Sequence, residues 1–360
     1  MIDREGISHI MKMSAYLFPK PGEGEFEKFI DSVVAAEEAG YERAWVFDSQ
    51  MIWKDVYVYI SHALAATKKI ALGTGVTNPF TRHFTVTASS HATLSQIYPG
   101  RVMLGIGRGD SARRTIGLNP FPTDQFSEVV RDIQKLMRGE PVSIVDKSGK
   151  TGSETRIVWA QEVIPTMMSA TGPKNLKIAG ALADIVQLQI GSHPDAVRWA
   201  MKYVKEGAES VGRDPSEIEI GVFTAMFVSE DQEKAWEFCR FSANIAANQL
   251  EDLVRFHKGI ELPGPLDRLV KTPRAKYDYW GGHCESDAAH MVMPGEVVDD
   301  FAIAGTAEKC LARIEELAAL GVNEIAPGVL NGEVEQIRRV GEEVVPTVQK
   351  MSVAKWYDLV

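Results

Sequence analysis

Four short polar stretches, each following an apolar run, carry the residue types that can do chemistry. The first is Gly73-Thr-Gly75-Val76-Thr-Asn-Pro79, after Ile70-Ala-Leu72. Two glycines this close let backbone approach backbone, or backbone approach a flat ligand. Pro79 then forces the chain out of the strand. The second is Gly105-Ile-Gly107-Arg108-Gly109-Asp110-Ser111, after Val102–Ile106. Here backbone groups and one carboxylate come together; Asp110 can face a ligand or pair with Arg113 or Arg114. The third, Ser169-Ala170-Thr171-Gly172-Pro173-Lys174, opens a helix. Free N–H groups and the helix dipole make such a start a natural anion site. Pro173 suits the first helical turn, where its missing N–H costs nothing; Thr171 can equally serve as an ordinary cap. The fourth is Asp48, at the end of Ala44-Trp-Val-Phe47. A carboxyl buried there has a raised pKa and can act as an acid, or can cap the next helix. Gln189 ends another strand. His83, just past the first bend, is placed either to touch substrate or cofactor, or to lie on a surface turn.

A repeating unit positions these stretches. Amphipathic helix, glycine, short apolar strand recurs from Phe26–Phe47 to Cys310–Ala326. Eight candidate strands alternate with helices: 10–17, 44–47, 70–76, 102–106, 166–170, 185–189, 218–228 and 322–326. Alternation implies a parallel sheet, and eight units favour a closed (β/α)8 TIM barrel over a doubly wound sheet. In such a barrel the carboxyl ends of the strands face the active site, and the four stretches sit at those ends. The chain reads as one domain, residues 1–360, with two insertions. Residues 141–160 have alternating Val and Ile about a Gly-rich centre, a hairpin pattern. Residues 248–298, after the seventh strand, begin helically and continue without a period. They are expected to cover the active face, with Tyr277, Tyr279 or Trp280 in the pocket wall. Gly105-Ile-Gly-Arg-Gly is not a dinucleotide fingerprint, because its third glycine comes one position early and no acidic residue follows at the required distance.

Composition narrows the function classes. The 360 residues carry a net charge of −10 and are 45% hydrophobic, which suits a globular protein with a full core. The absence of a long basic run argues against a nucleic-acid partner. No apolar run reaches ~18 residues, so no membrane span is expected. The first residues, Met1-Ile-Asp-Arg-Glu-Gly, do not read as a secretory signal. Cys239, Cys284 and Cys310 are dispersed, and His283-Cys-Glu-Ser-Asp-Ala-Ala-His290 lacks zinc spacing, so no metal site is expected. The expectation is a cytoplasmic homo-oligomer acting on a small molecule.

The Gly-x-Gly-Val-Thr-Asn-Pro-x-Thr-Arg-His bend and the Gly-Arg-Gly-Asp loop resemble those of the bacterial-luciferase-like flavin and deazaflavin oxidoreductases. The branch most resembled is the coenzyme F420-dependent, methylenetetrahydromethanopterin reductase-like one. The resemblance runs from about Met11 to Val345. It implies a non-proline cis peptide at Gly75–Val76 that supports the cofactor ring. It puts Arg108, Gly109 and Asp110 beside that ring, and the cofactor phosphate at Ser169, Ala170, Thr171 and Gly172, with Gln189 nearby. Asp48, Asp110 and His83 are its implied catalytic groups; Ser49 follows Asp48 where some deazaflavin enzymes have His. The implied function is hydride transfer between coenzyme F420 and a small organic substrate. Its alternatives are a reduced-FMN monooxygenase and a flavin-binding barrel without turnover.

Overall fold

The computed structural model describes residues 10–18, 22–145, 151–273, 277–280, 293–329 and 334–360. The barrel strands are β1 (Lys12–Leu17), β2 (Arg43–Val46), β3 (Ala71–Thr74), β4 (Val102–Ile106), β7 (Thr166–Ala170), β8 (Ile185–Leu188), β9 (Glu219–Val228) and β11 (Glu324–Val329). They pair in that order, all parallel, and β11 closes the ring onto β1. The (β/α)8 barrel expected from the sequence is the observed fold. The hairpin between β4 and β7 is β5 (Val142–Val145) against β6 (Thr151–Thr155), antiparallel. A ninth parallel strand, β10 (Ile303–Gly305), pairs with the far end of β9.

The helices are α1 (Glu25–Glu38), α2 (Val56–Ala66), α3 (Phe84–Ile97), α4 (Ser111–Arg114), α5 (Thr123–Met137), α6 (Pro173–Leu182), α7 (Pro194–Glu209), α8 (Gln232–Phe256), α9 (Gly264–Lys271), α10 (Gly295–Phe301), α11 (Ala307–Ala319), α12 (Val334–Glu343) and α13 (Val345–Val348). Asx caps start several of them. Asp55 accepts from Tyr57 and Val58 N–H at α2, and Asp231 accepts from Lys234 N–H at α8. Residues 248–256 continue α8 without a break, so the helical opening of the long insertion is the last third or so of a 25-residue helix. Leu250 and Leu253 bury the face that makes this so.

Side chains fill the barrel in layers. Tyr16, Trp45, Met103, Met167, Ile185, Phe223 and Ala326 form the inner apolar cluster, with Tyr16 edge-on to Phe223 at 4.8 Å. Below it, at the amino ends of the strands, Arg43 Nη1 bonds Glu219 at 2.8 Å and Glu324 at 2.5 Å, and Lys12 bonds Glu219 at 2.5 Å. Glu324 is fully buried and also accepts from Ser14 Oγ and Trp45 Nε1. Burial pushes the Glu219 carboxyl up, but Arg43 and Lys12 outweigh it and hold it below its usual range. This end is locked by ion pairs; the polar stretches singled out from sequence lie toward the other.

Candidate active site

A cavity of about 490 Å3 opens at the carboxyl ends of the strands. Its floor is the bend after β3. Gly75 N–H donates to Val46 O (2.6 Å), Thr77 N–H to Gly105 O (3.0 Å) and Gly107 N–H to Thr77 O (2.9 Å), which pins the bend to both neighbouring strands. The approach is close enough that a Cβ on Gly105 would sit 1.8 Å from Thr74 O. The Gly75–Val76 peptide is cis, as the resemblance implied. Asn78 Oδ1 then accepts from Phe80 and Thr81 N–H, turning the chain toward α3.

Asp48 is 3% exposed and reaches the cavity wall. Arg82 Nη1 meets its Oδ2 at 2.6 Å, while Arg82 Nη2 meets Asp55 at 2.8 Å. Burial raises the Asp48 carboxyl more than Arg82 lowers it. Asp48 therefore does not cap α2; Asp55 does.

The Gly107–Asp110 loop forms a second wall. Arg108 Nε donates to Phe121 O (2.5 Å) and Phe121 N–H returns to Arg108 O (2.8 Å). Gly109 sits at φ +77°, a conformation that favours glycine. Asp110 pairs with Arg114 at 2.6 Å, and Arg114 also binds Asp252 of α8. Arg113 turns away instead, donating to Asn119 O and stacking 4.0 Å over Phe80. Asp110 lines the cavity with about a third of its side chain exposed, and desolvation by the surrounding protein raises its carboxyl against the pull of Arg114.

The third wall is the start of α6. Gly172 is its N-cap and supplies no side-chain bond, so the first N–H groups face outward. Thr171 does not cap; its Oγ1 donates to Gln249 Oε1 (2.9 Å), and Gln249 Nε2 donates to Gln189 Oε1 (3.0 Å). This bridge ties β7, α8 and β8 together across the cavity. Lys174 and Asn175 line the wall, and the buried Asn175 Oδ1 has no partner.

Of the residues singled out from sequence, Asp48, Gly75, Val76, Arg108, Gly109, Asp110, Ser169, Thr171, Gly172 and Gln189 line this one cavity. His83 and Ala170 do not. His83 caps α3, its Nδ1 accepting from Thr85 N–H. Ala170 ends β7 with its side chain 4% exposed. Tyr279 hydrogen-bonds Asn248 at 2.9 Å and lies under Arg114 (5.5 Å), behind the wall, while Trp280 is 57% exposed. His283–His290 lie outside the described residues, and among the described residues no cluster suits a metal ion. Sequence reasoning missed Ile245, Gln249, Asp252 and Leu253 of α8, and Phe47 and Phe223 of the barrel interior. The polar positions Gln249 and Asp252 within an otherwise apolar helical face were the available signal.

Comparisons with known proteins agree with this geometry. The family model described as luciferase-like monooxygenase matches residues 11–324. The chain is 31% identical over 317 residues to 5,10-methylenetetrahydromethanopterin reductase of Methanolobus tindarius, covering 86% of this chain and 93% of that protein. It is 29% identical over 254 residues to F420-dependent glucose-6-phosphate dehydrogenase of Nakamurella multipartita, covering 67% and 74%. The solved structure of coenzyme F420 dependent tetrahydromethanopterin reductase from Methanopyrus kandleri superposes with a TM-score of 0.74 at 28% identity, over 94% of this chain and 99% of that one.

Proposed function

The chain belongs to the luciferase-like monooxygenase family, and from that premise we propose an oxidoreductase that moves a hydride between coenzyme F420 and a small organic substrate. The observation that carries this reading is the pairing of a backbone ledge, Gly75–Val76 with Gly107 and Gly109, and an uncapped helix start on the same cavity. A flat ring fits the ledge. An anionic tail group fits the first turn of α6, where backbone N–H groups are free of a side-chain cap and Lys174 adds charge. When bound, the cofactor supplies a ring carbon that gives or accepts a hydride.

The chain's own residues do the rest. Val76 and the Gly75 peptide support the ring, and Arg108 and Gly109 border it. Asp48 and Asp110 hold or deliver a proton at the substrate's heteroatom. Both carboxyls are raised by burial, the direction an acid working near neutral pH requires. Phe47, Phe223, Ile245 and Leu253 supply apolar wall that excludes water.

Titrating the protein with oxidised coenzyme F420 and with FMN, while following ring absorbance, tests the reading. The expected result is F420 binding at least tenfold tighter. Preference for FMN would overturn it in favour of the reduced-FMN monooxygenase. The same proposal includes a homo-oligomer. Val158 and Val163 are 80% and 83% exposed, and Gln96 joins their stretch to α3 by donating to Trp159 O. Light scattering that finds a monomer would remove that part. Work in the cytoplasm completes it, consistent with the free buried thiols Cys239 and Cys310. Among the described residues no helix is long and apolar enough to cross a membrane.

A further inference from the structure

The bridge from Thr171 through Gln249 to Gln189 has a direction. Thr171 Oγ1 donates to Gln249 Oε1 at 2.9 Å, and Gln249 Nε2 donates to Gln189 Oε1 at 3.0 Å. Both hydrogens therefore point from β7 toward β8. A threonine hydroxyl has one hydrogen to give, and Thr171 gives it to Gln249, so only lone pairs remain on that oxygen. At the other end the Gln189 oxygen is turned to α8, which leaves its Nε2 with two N–H groups to place. Among the described residues no side-chain hydrogen bond takes them, and the nitrogen is not one of the sealed polar atoms that lack a partner. It keeps open surface, and Gln189 lines the cavity.

The middle of the bridge is mounted on α8. Ala247 and Leu250, on either side of Gln249, are fully buried. Asn248 Nδ2 donates to the Tyr279 phenol oxygen at 2.9 Å, and Leu253 packs so close to Gly172 that a Cβ there would lie 2.6 Å from its Cδ1. Turning both amides over would also close the bridge, but it would present the Gln189 oxygen to the cavity. The structure has the arrangement that presents the nitrogen.

We propose that Gln249 is a positioning residue, holding the Gln189 amide with its N–H groups toward the bound cofactor, where they meet an oxygen acceptor. The inference rests on the proposed coenzyme F420 site in this cavity. The acceptors a deazaflavin offers are the carbonyl oxygens of its ring and the phosphate oxygens of its tail, and either suits an N–H donor. Gln249 acts through Gln189 and not by its own contact with that oxygen. The same direction assigns the start of α6. With its hydrogen spent, Thr171 does not donate to an anion, which is left to the backbone N–H groups and Lys174.

The test is a double-mutant cycle read by absorbance titration of the ring, with coenzyme F420 and with the phosphate-free deazaflavin riboside. Circular dichroism checks that each variant is folded. Gln189→Met removes the donor and should weaken binding about tenfold, the upper range for one hydrogen bond. Gln249→Met frees the Gln189 amide to turn and should weaken it about threefold. The double variant should be no worse than Gln189→Met alone, because Gln249 then has nothing to position. Losses with both ligands place the acceptor on the ring, and losses confined to coenzyme F420 place it on the tail; either supports the proposal. Gln249→Glu adds a pH profile that packing alone would not produce. Its ionised carboxylate accepts from both neighbours and turns Gln189 round, whereas its protonated form donates to Gln189 Oε1 again. Relative to the parent, affinity should fall at pH 8 and recover by pH 5, and this recovery should vanish in the Gln189→Met background. A recovery that persists there is charge repulsion and overturns the positioning role. Strictly additive losses in the cycle, or unchanged affinity in Gln189→Met, also overturn that role alone. Failure of coenzyme F420 to bind the parent overturns the proposed function and this role with it.

Discussion

His91 should make the stability of this barrel depend on pH in a window where few other groups act. It lies on α3 behind the bend, fully buried, with Nδ1 donating to Thr87 O at 2.9 Å. Burial lowers its pKa from 6.5 to about 4. Between those values the unfolded chain binds the proton and the folded chain does not, so stability rises with pH across the window. The contribution is complete above pH 6.5 and is lost as pH falls toward 4. At about 1.4 kcal/mol per pH unit the whole window is worth about 3 kcal/mol, of which about 2 kcal/mol has gone by pH 5. The perturbation is His91→Phe, which keeps an aromatic ring against Tyr57 and removes the titration. Urea unfolding of parent and variant at pH 7.5 and pH 5 gives the four free energies required. The parent should lose about 2 kcal/mol more than the variant between the two pH values, because the carboxylates that titrate at low pH are common to both. Equal losses would mean that His91 is protonated in the folded state, and the argument from burial would fail.

Asp110→Asn should slow hydride transfer at least tenfold and change urea stability by no more than ~1 kcal/mol, since Arg114 keeps Asp252 as partner; unfolding with normal activity in the folded fraction would make Asp110 a structural residue. Lys174→Glu at the start of α6 should weaken coenzyme F420 about tenfold by absorbance titration, with a smaller effect at high salt; an unchanged affinity moves the anionic group elsewhere. Gly172→Ala puts a Cβ 2.6 Å from Leu253 Cδ1 and should cost ~1–3 kcal/mol. Adding Leu253→Ala should recover part of that, whereas strictly additive losses would show the two residues to be uncoupled. Arg43→Met leaves buried Glu324 uncompensated and should cost ~3–5 kcal/mol in urea unfolding while leaving cofactor affinity intact; a matching loss of affinity would show that the two barrel ends are coupled.

The strand ends were the legible part of the sequence. A strand in a parallel barrel is a short apolar run, and the residues just past its carboxyl end must lie at the active face. Asp48, Gly75–Val76, Arg108–Asp110, Ser169–Gly172 and Gln189 are gathered by that rule from the order of residues alone. His83 and Ala170 show its limit, because it fixes the end of the barrel but not the direction of a side chain. One step along the chain points Ala170 away from the cavity, and a preference for helix starts draws His83 to α3. The contribution of α8 was hidden for another reason. Residues 245, 249, 252 and 253 share a helix face, and which way that face turns depends on contacts far away in sequence. Leu253 against Gly172 and Gln249 against Thr171 and Gln189 are such contacts. Strand β10, at three residues, carries too little pattern to read.

The two ends of the barrel differ in how their charged side chains are held, although Gln187, level with Glu324, keeps both amide atoms without a partner. At the amino end, Lys12, Arg43, Glu219 and Glu324 are fixed to one another by short ion pairs, and Ser14 and Trp45 use further acceptor capacity of Glu324. Removing Arg43 leaves Glu324 buried without a cationic partner, and removing Glu219 takes the bonded anion from Lys12, so this end resists rearrangement. At the carboxyl end the backbone of the bend is pinned just as firmly, by bonds to Val46, Gly105 and Thr77. The side chains around it are not. The hydroxyls of Tyr57, Thr77 and Thr87 and the amide of Asn175 keep atoms without aligned partners. An unmade buried hydrogen bond costs about 1–3 kcal/mol, which a purely structural core would avoid by using apolar residues. Polar groups kept at that cost beside a rigid ledge suit a binding site better than a purely structural core.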